Sequence, residues 1–387
     1  MSAEHDRNLW LDMARGLSAL AVCLGHLRNA LLVDFGALEH PGILVKAFYI
    51  MTGLGHQSVM VFFVLSGYFV GGGILRSGSK FIWSSYLSSR LTRLWVVLIP
   101  CLVLTWFIDQ MVNSYVPGVL SGENFDIWHS GPKPGEYSAS LHTFLANVFF
   151  LQTIASPVFG SNGPLWSLAN EFWYYILFPL LVFSIGIAGS GKILWRSLAF
   201  ILALVLAWWL PEDVLYGFLI WMMGVAVYLL RPWLSSLRSR AVNFVALSGL
   251  LLFCLSLGYS KSTKLLEYMA IDPDLLVGFS FSVLCLALTY RPFPAIRYRV
   301  TARLSLSLSE MSYSLYVFHF PIVVFIASIA YKSQKLIPDG LALTQFMAWS
   351  SVLIGVGFTV YWLFEARTYL VRTVVRRWIT KSGALSP

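Results

Sequence analysis

The sequence predicts an all-α polytopic integral membrane protein with about ten transmembrane helices and both termini in the cytoplasm. Of its 387 residues, 58% are hydrophobic and 12% are charged, against roughly 25% charged in a typical soluble domain. Apolar stretches of about 20 residues recur along the chain, each long enough to cross the hydrocarbon core of a bilayer. Lysines and arginines concentrate in alternate loops, which predicts the orientation.

The first predicted span follows a polar segment of mixed charge that lacks the pattern of a cleaved signal peptide. The apolar region 43–74 is too long for one span, and the break Gly53-Leu54-Gly55 divides a short interfacial helix from the second span. The segment 141–152 is too short to cross a bilayer. In order, the ten predicted spans are about Leu9–Leu32, Gln57–Ile74, Arg90–Val112, Trp166 to before Gly189, two spans flanking the turn 211–213, Ala241–Gly258, Leu275–Tyr290, Arg303–Ala330 and Leu341–Phe364.

With the N-terminus inside, most of the 27 lysines and arginines fall in loops on the cytoplasmic side. The net charge of +9 follows these loops, so it does not indicate a nucleic-acid partner. Residues 1–366 are predicted to form the transmembrane domain, and residues 367–387 a basic amphipathic tail on the anionic inner leaflet. The four cysteines lie in apolar runs without C-x-x-C spacing, which predicts small core residues and neither disulfides nor a metal site.

The first span, LDMARGLSALAVCLGH in residues 11–26, carries three ionisable groups, Asp12, Arg15 and His26. Ionisable groups inside a span are costly and are functional candidates by default. Eleven residues of helix rise about 16 Å and return to the same face, so His26 is predicted near mid-membrane above Arg15. Asp12 lies one turn before Arg15 and can pair with it. The alternative is a structural histidine that bridges two helices.

A second group of polar residues surrounds the start of the third span. Arg90 and Arg93 are one turn apart, and Arg76 and Lys80 precede them in a short loop. These cations are consistent with a pocket for a phosphate-rich cytoplasmic ligand, and equally with the ordinary bias of inner loops toward positive charge. Ser66 and the glycines after it allow close approach of a ligand or of another backbone.

Two later spans are unusually polar. GPLWSLANEFWYY, residues 163–175, places Glu171 among aromatic residues that include Trp166. A carboxylate there could hold an arginine, orient an imidazole or bind a sugar hydroxyl, although the aromatics also fit an interfacial belt. LSEMSYSLYVFHFPI, residues 308–322, carries Tyr313, Ser314 and His319, for which a structural network and a role on the substrate side both remain open.

Several of these blocks resemble the membrane-bound acyltransferase 3 family, whose bacterial members acylate cell-envelope glycans. Arg15 and His26 match its arginine–ten residues–histidine signature, and Arg90-x-x-Arg93 matches its R-x-x-R motif. FFVLSGYFVGG, WSLANEFWYYILFP and SYSLYVFHFP occur in the family's order, and FEAR at 364–367 resembles its terminal Phe-Glu with alanine at the usual proline position. The resemblance covers the first four and the last two spans by motif, and the others by length and hydropathy.

The resemblance implies an O-acyltransferase, with acetyl-CoA or another short acyl-CoA as cytoplasmic co-substrate and no bound cofactor. It implies an extracytoplasmic glycan acceptor and a multi-pass location in the bacterial inner membrane. His26 is predicted to be the general base on the acceptor hydroxyl, and the alternative is that His26 itself carries the acyl group. Arg15 would position the donor, and Glu171 would line the acceptor side. Arg90, Arg93, Arg76, Lys80 and Ser66 would bind the donor, and Asp12, Trp166, Tyr313, Ser314 and His319 would form the acceptor side or its support.

Two other readings remain open from the residues alone. A secondary transporter of a sugar or lipid-linked intermediate could use the same charges as a proton relay, although no internal repeat is evident. A non-catalytic membrane subunit would leave His26 and Arg15 dispensable. Donor dependence separates the three classes, while the sequence names neither the acceptor, nor the acyl group, nor the oligomeric state.

Overall fold

The computed structural model describes residues 8–121, 131, 133–290 and 299–381, and most of them are helical. Within those ranges there is no β-strand, and isolated backbone bridges are the sole extended pairings. The predicted all-helical class is confirmed. The α-helices are α1 Leu9–Leu31, α2 Ile43–Thr52, α3 Gly55–Ser66, α4 Gly72–Ser77, α5 Trp83–Tyr115, α6 Leu141–Val148, α7 Trp166–Ser184, α8 Ile193–Trp209, α9 Glu212–Ser236, α10 Ser239–Tyr259, α11 Thr263–Met269, α12 Pro273–Leu288, α13 Arg299–Phe325, α14 Gly340–Leu363 and α15 Thr368–Lys381.

Six helical segments of the described chain are long and apolar enough to cross a membrane. Two further apolar helices, α8 and α12, have 17 and 16 residues and are shorter than a typical span. The helix α1 has a suitable length of 23 residues but carries Asp12, Arg15 and Arg28. The architecture is therefore that of a multi-pass helical membrane protein, with six such segments. They are Ile43–Lys80, Trp83–Tyr115, Glu212–Ser236, Ser239–Tyr259, Val300–Ala330 and Gly340–Val374.

The predicted helix boundaries agree with the structure at most positions. The break at Gly53–Gly55 is confirmed, because α2 ends at Thr52 and α3 begins at Gly55. The third predicted span begins seven residues too late, since α5 starts at Trp83 in a polar stretch that hydropathy alone does not assign to a span. The short helix α11 was not predicted, because its seven residues interrupt a polar loop.

By the density of its contacts the chain divides into two compact units. Unit 1 comprises residues 1–18, 56–81 and 170–309, and unit 2 comprises residues 19–55, 82–169 and 310–387. The helices α1, α3, α7 and α13 each contribute residues to both units. The predicted division into a domain 1–366 and a tail 367–387 is a different boundary and stays a prediction.

In unit 1 two glycines bring the backbones of α3 and α9 together. A Cβ on Gly224 would overlap the carbonyl oxygen of Val64, and one on Gly67 would overlap the carbonyl oxygen of Trp221. Such small-residue contacts are a common basis of helix association in membranes. The Trp221 indole is fully buried beside this contact and donates from Nε1 to Ser66 Oγ at 3.1 Å.

Directly after α3 the backbone forms a π-helical turn over Gly67–Gly71 before α4 begins at Gly72. A π-helical turn inserts one extra residue into the helix and is frequent at functional sites. The insertion rotates the side chains that follow it relative to the face of α3. Tyr68 and Phe69 lie inside this turn.

In unit 2 the C-terminal helix α15 packs against α5. Arg372 donates from its guanidinium to Ser89 Oγ at 3.0 Å. The tail is thus helical over Thr368–Lys381, while its place on the inner leaflet stays a prediction. The last six residues of the predicted tail, 382–387, lie outside the described residues.

A buried carboxylate ties α5 to the loop that precedes α7 in unit 2. Asp109 is fully buried and accepts hydrogen bonds from the backbone N–H of Ser161 at 2.9 Å and from its hydroxyl at 2.6 Å. The Tyr137 hydroxyl also donates to Asp109, and burial and this carboxylate raise the pKa of Tyr137 above its ordinary value. Gly160 has a φ of +60°, and a Cβ there would strike the carboxylate. The loop is therefore built around Asp109.

We expect Asp109→Ala to lower the free energy of unfolding by about 3 kcal/mol, because the Ser161 N–H and hydroxyl lose their acceptor in a buried place. Thermal unfolding of the purified protein in detergent measures the change. Glu39→Ala is the control, since Glu39 is exposed in the loop before α2 and surface substitutions usually change stability by about 0.5 kcal/mol or less. Equal melting temperatures for the two variants would contradict the structural role of Asp109.

Candidate functional site

A pair of histidines from α1 and α13 lies in unit 2. His26 Nδ1 is 2.8 Å from His319 Nε2. The two ring planes are within 8° of each other and the centroids are 5.1 Å apart. With so short a nitrogen–nitrogen distance, the rings meet edge to edge and share one in-plane hydrogen bond. The two residues are 293 positions apart in the sequence.

The backbone determines which nitrogens carry the protons. His319 Nδ1 lies 2.7 Å from the carbonyl oxygen of Tyr316, a group that can only accept. In the neutral state His319 therefore carries its proton on Nδ1, and its Nε2 accepts from His26 Nδ1–H. His26 is left with an unprotonated Nε2. That lone pair is available to take a proton from another molecule.

The two rings differ in accessibility. His319 is 1% exposed and is packed within α13, whereas His26 is half-buried and keeps part of its surface accessible. The ring of Phe320 stands edge-on against His26, with centroids 5.1 Å apart. His26 can thus reach a substrate, while His319 can only orient His26.

Pro321 shapes the helix around His319. Proline has no N–H, so the carbonyl of Val317 one turn earlier loses its usual helical donor. Cys101 Sγ and Asn162 Nδ2 take over as donors to this oxygen, each at 3.1 Å. The helix is not interrupted at Pro321, because α13 continues to Phe325. Pro321 instead couples α13 to α5 and to the loop before α7.

Tyr316, one turn before His319, is held by the start of α7 in unit 2. Its hydroxyl forms a short hydrogen bond with Ser167 and donates to the carbonyl of Pro164 at 3.0 Å. These contacts fix the segment of α13 whose carbonyl orients His319. Trp166, the first residue of α7, is half-buried next to this contact.

Asp12 and Arg15 lie in unit 1, on the first part of α1. Asp12 Oδ1 accepts from the Ser309 hydroxyl at 2.7 Å. The Arg15 guanidinium lies over the ring of Phe69, 5.1 Å from its centroid, which is within cation–π range. The Asp12–Arg15 pairing stays a prediction. The structure adds Phe69 as a contact of Arg15 that the spacing of the motif does not indicate.

Glu171 and Ser66 lie in unit 1 and belong to one chain of polar groups. The Tyr175 hydroxyl donates to Glu171 Oε1 and lies 3.2 Å from Ser66 Oγ. Trp221 completes the chain as a donor to Ser66. Tyr175 and Ser66 are buried, and Glu171 keeps part of its surface. The sequence analysis assigned Ser66 to the donor site and Glu171 to the acceptor side. In the structure both residues contact the same Tyr175 hydroxyl.

The arginines of the R-x-x-R motif lie in unit 2. Arg93 is 3.9 Å from Glu365, and Ser314 donates to the other oxygen of this carboxylate at 2.7 Å. Tyr313 donates to the carbonyl of Leu94 on α5 at 3.0 Å. Ser314 and Tyr313 thus connect α13 to the Arg93–Glu365 pair. Arg90 lies over the ring of Tyr86 at 5.9 Å.

Arg76 and Lys80 are exposed in unit 1, at the end of α4 and in the following turn. Across the described part of the chain no three His, Cys, Asp or Glu side chains are grouped so as to hold a metal ion. Sequence reasoning missed the contact of the two histidines and the groups that orient them, Tyr316, Ser167 and Asn162. The polarity of LSEMSYSLYVFHFP was the available signal, but it does not name partners.

These features define a helical multi-pass membrane protein with a hydrogen-bonded imidazole pair that is suited to proton transfer. The chain belongs to the acyltransferase 3 family, because the family's model, described as an acyltransferase domain, matches residues 8–365. An O-acetyl transferase of Shigella phage Sf6 is 25% identical over 332 residues, which cover 82% of this chain and 85% of that protein. No solved structure matches the chain significantly. The family membership and this relative support an O-acyltransferase.

Proposed function

We propose that the chain transfers an acyl group, specifically acetyl, from cytoplasmic acetyl-CoA to a hydroxyl of an extracytoplasmic envelope glycan. It acts in the bacterial inner membrane, with about ten spans and both termini in the cytoplasm. The observation that carries the proposal is the His26–His319 hydrogen bond, which leaves an unprotonated Nε2 on the half-buried His26. The phage relative's name supports acetyl as the group transferred.

In the proposed step His26 Nε2 removes the proton from the acceptor hydroxyl as its oxygen attacks the thioester carbonyl. The carbon–oxygen bond forms and the carbon–sulfur bond breaks. The departing CoA thiolate takes the proton back from the His26 imidazolium, so that the products are the ester and free CoA. His319 orients the base through its tautomer, as the aspartate does in a serine-protease triad, but without a charge.

Arg15 and Glu171 have supporting roles in the proposal. The helix α1 is continuous from Leu9 to Leu31, so Arg15 and His26 are about 16 Å apart along its axis. This distance is comparable to the length of the pantetheine arm. A donor whose nucleotide end is positioned by Arg15 would therefore have its thioester near His26. Glu171 lines the acceptor side, where a carboxylate can bind sugar hydroxyls.

The test uses purified full-length protein in phosphatidylcholine nanodiscs with [14C]acetyl-CoA and an envelope glycan fraction from a strain that lacks the gene. We expect release of CoA thiol and alkali-labile label on the glycan, each dependent on the protein. Mass spectrometry of glycans with and without the gene identifies the acylated sugar. No thiol release and identical glycans would overturn the proposal and favour a carrier or a scaffold.

A further inference from the structure

A cluster of two arginines and two tyrosines lies in unit 1, away from the histidine pair. Its members are Tyr68 in the π-helical turn, Arg76 at the end of α4, and Tyr228 and Arg231 on one face of α9. The Arg76 guanidinium is 5.9 Å from the centroid of the Tyr228 ring, and the rings of Tyr228 and Tyr68 are 6.2 Å apart. Arg231 lies one turn after Tyr228 on α9, on the same side of the helix. We refer to these four residues as the arginine–tyrosine cluster.

The positive charge of this cluster is not neutralised by the described residues. Within residues 8–121, 131, 133–290 and 299–381, neither Arg76 nor Arg231 forms an ion pair. Arg93 in unit 2 differs, because it is paired with Glu365. Arg76 is exposed and the other three residues are half-buried, so each of the four keeps part of its surface open to a ligand.

Gly72 has no side chain, and this allows the ring of Tyr228 to approach the backbone of α4. A Cβ on Gly72 would overlap the Tyr228 ring, whereas a Cβ on the next residue, Gly73, would meet nothing within 4 Å. The ring of Tyr228 therefore lies directly on the backbone of α4. A side chain at Gly72 would push the Tyr228 ring away from α4, whereas a side chain at Gly73 would not touch the ring.

We propose that the arginine–tyrosine cluster binds the nucleotide end of the acyl-CoA donor, an adenosine carrying phosphate and diphosphate groups. Guanidinium groups bind phosphate through paired, charge-assisted hydrogen bonds. An aromatic ring offers a face on which a purine stacks. A site that offers both guanidinium groups and an aromatic ring favours a nucleotide over a simple anion, because only the nucleotide carries both a phosphate and a base. This inference rests on the proposed function and names the residues that would select the donor.

A phospholipid headgroup offers the same phosphate chemistry, so the experiment separates the two sources. Full-length protein in nanodiscs of neutral phosphatidylcholine is titrated with CoA, with adenosine 3′,5′-bisphosphate and with pantetheine, and intrinsic tryptophan fluorescence is followed. The variants are Arg76→Gln with Arg231→Gln as a pair, Gly72→Ala, and Gly73→Ala as the matched control. Gel filtration and the melting temperature verify that each variant is folded.

We expect the double arginine variant to weaken CoA and bisphosphate binding roughly tenfold or more, because two charge-assisted contacts are lost. Gly72→Ala should weaken both several-fold by displacing the ring, and Gly73→Ala should leave both unchanged. Pantetheine, which lacks the nucleotide, should bind all variants equally. These results together support the assignment.

Unchanged CoA affinity in the folded double arginine variant would overturn the assignment. If the cluster binds a phospholipid headgroup instead, anionic phosphatidylglycerol would raise the melting temperature of the wild type and not of the variant. If the wild type binds CoA but all variants bind it equally, the site is wrong and the proposed function stands. If the wild type neither binds nor cleaves acetyl-CoA, the proposed function itself fails.

Discussion

His26→Ala is expected to lower acetyl transfer by roughly a thousandfold while leaving the protein folded and inserted. A positioned general base typically contributes about 10²–10⁴ in rate, and alanine leaves no group in its place. The unprotonated Nε2 of His26 is the proton acceptor that its hydrogen bond to His319 leaves in place. Initial rates of CoA release and of label transfer to the glycan measure the loss.

His142→Ala is the control for the removal of an imidazole, because His142 is exposed on α6. We expect it to retain activity within about twofold, as surface substitutions have small effects. Transfer at the wild-type rate by His26→Ala would exclude His26 as the base.

His319 tests the orientation of the base separately from the base itself. His319→Gln keeps an oxygen that can accept from His26 Nδ1–H, whereas His319→Leu keeps no polar atom. We expect the leucine variant to lose far more of kcat than the glutamine variant, with little change in KM for acetyl-CoA in either. Equal losses in the two variants would indicate that His319 is needed only for packing.

Gly224→Ala is expected to destabilise the protein by about 3 kcal/mol or more. The added methyl would overlap the carbonyl oxygen of Val64 and approach the backbone nitrogen of Tyr68. Backbone atoms of a packed helix cannot move aside as a flexible side chain can, so α9 must separate from α3 and the π-helical turn. Alanine normally stabilises a helix interior by about 1 kcal/mol relative to glycine. A destabilising effect of Gly224→Ala would therefore indicate that the added methyl group meets the backbone of α3.

Gly355→Ala on α14 is the matched control, because its Cβ would meet nothing within 4 Å. We expect it to be neutral or slightly stabilising. A thiol-reactive dye can follow unfolding as the buried Cys23, Cys101 and Cys285 become accessible. Indistinguishable melting curves for the two alanine variants would contradict the close approach of α9 and α3.

Most helices of this protein were predictable from local sequence. Length and hydropathy located α10, α12 and α14 to within two residues at each end, because a span must bury its own backbone polar groups by hydrogen bonding within the segment. The glycine break before α3 was also predictable from the sequence. The start of α5 was not, since its first turns are polar and lie beyond the apolar window from which a span is recognised.

The candidate site was predictable as a set of residues and not as a set of contacts. His26, Arg15, Glu171 and His319 stood out because ionisable groups are rare inside apolar helices. The sequence by itself thus determined the helical membrane class, the family motifs and the groups that are costly to bury.

Only the tertiary structure decided that His26 meets His319, that Tyr316 sets their tautomers and that Glu171 is linked to Ser66. The pattern of one helix determines which face is polar, but its partner depends on the rotation and packing of helices that are distant in the sequence. Those are set by side-chain volumes and glycine contacts summed over many residues, so no single motif encodes them.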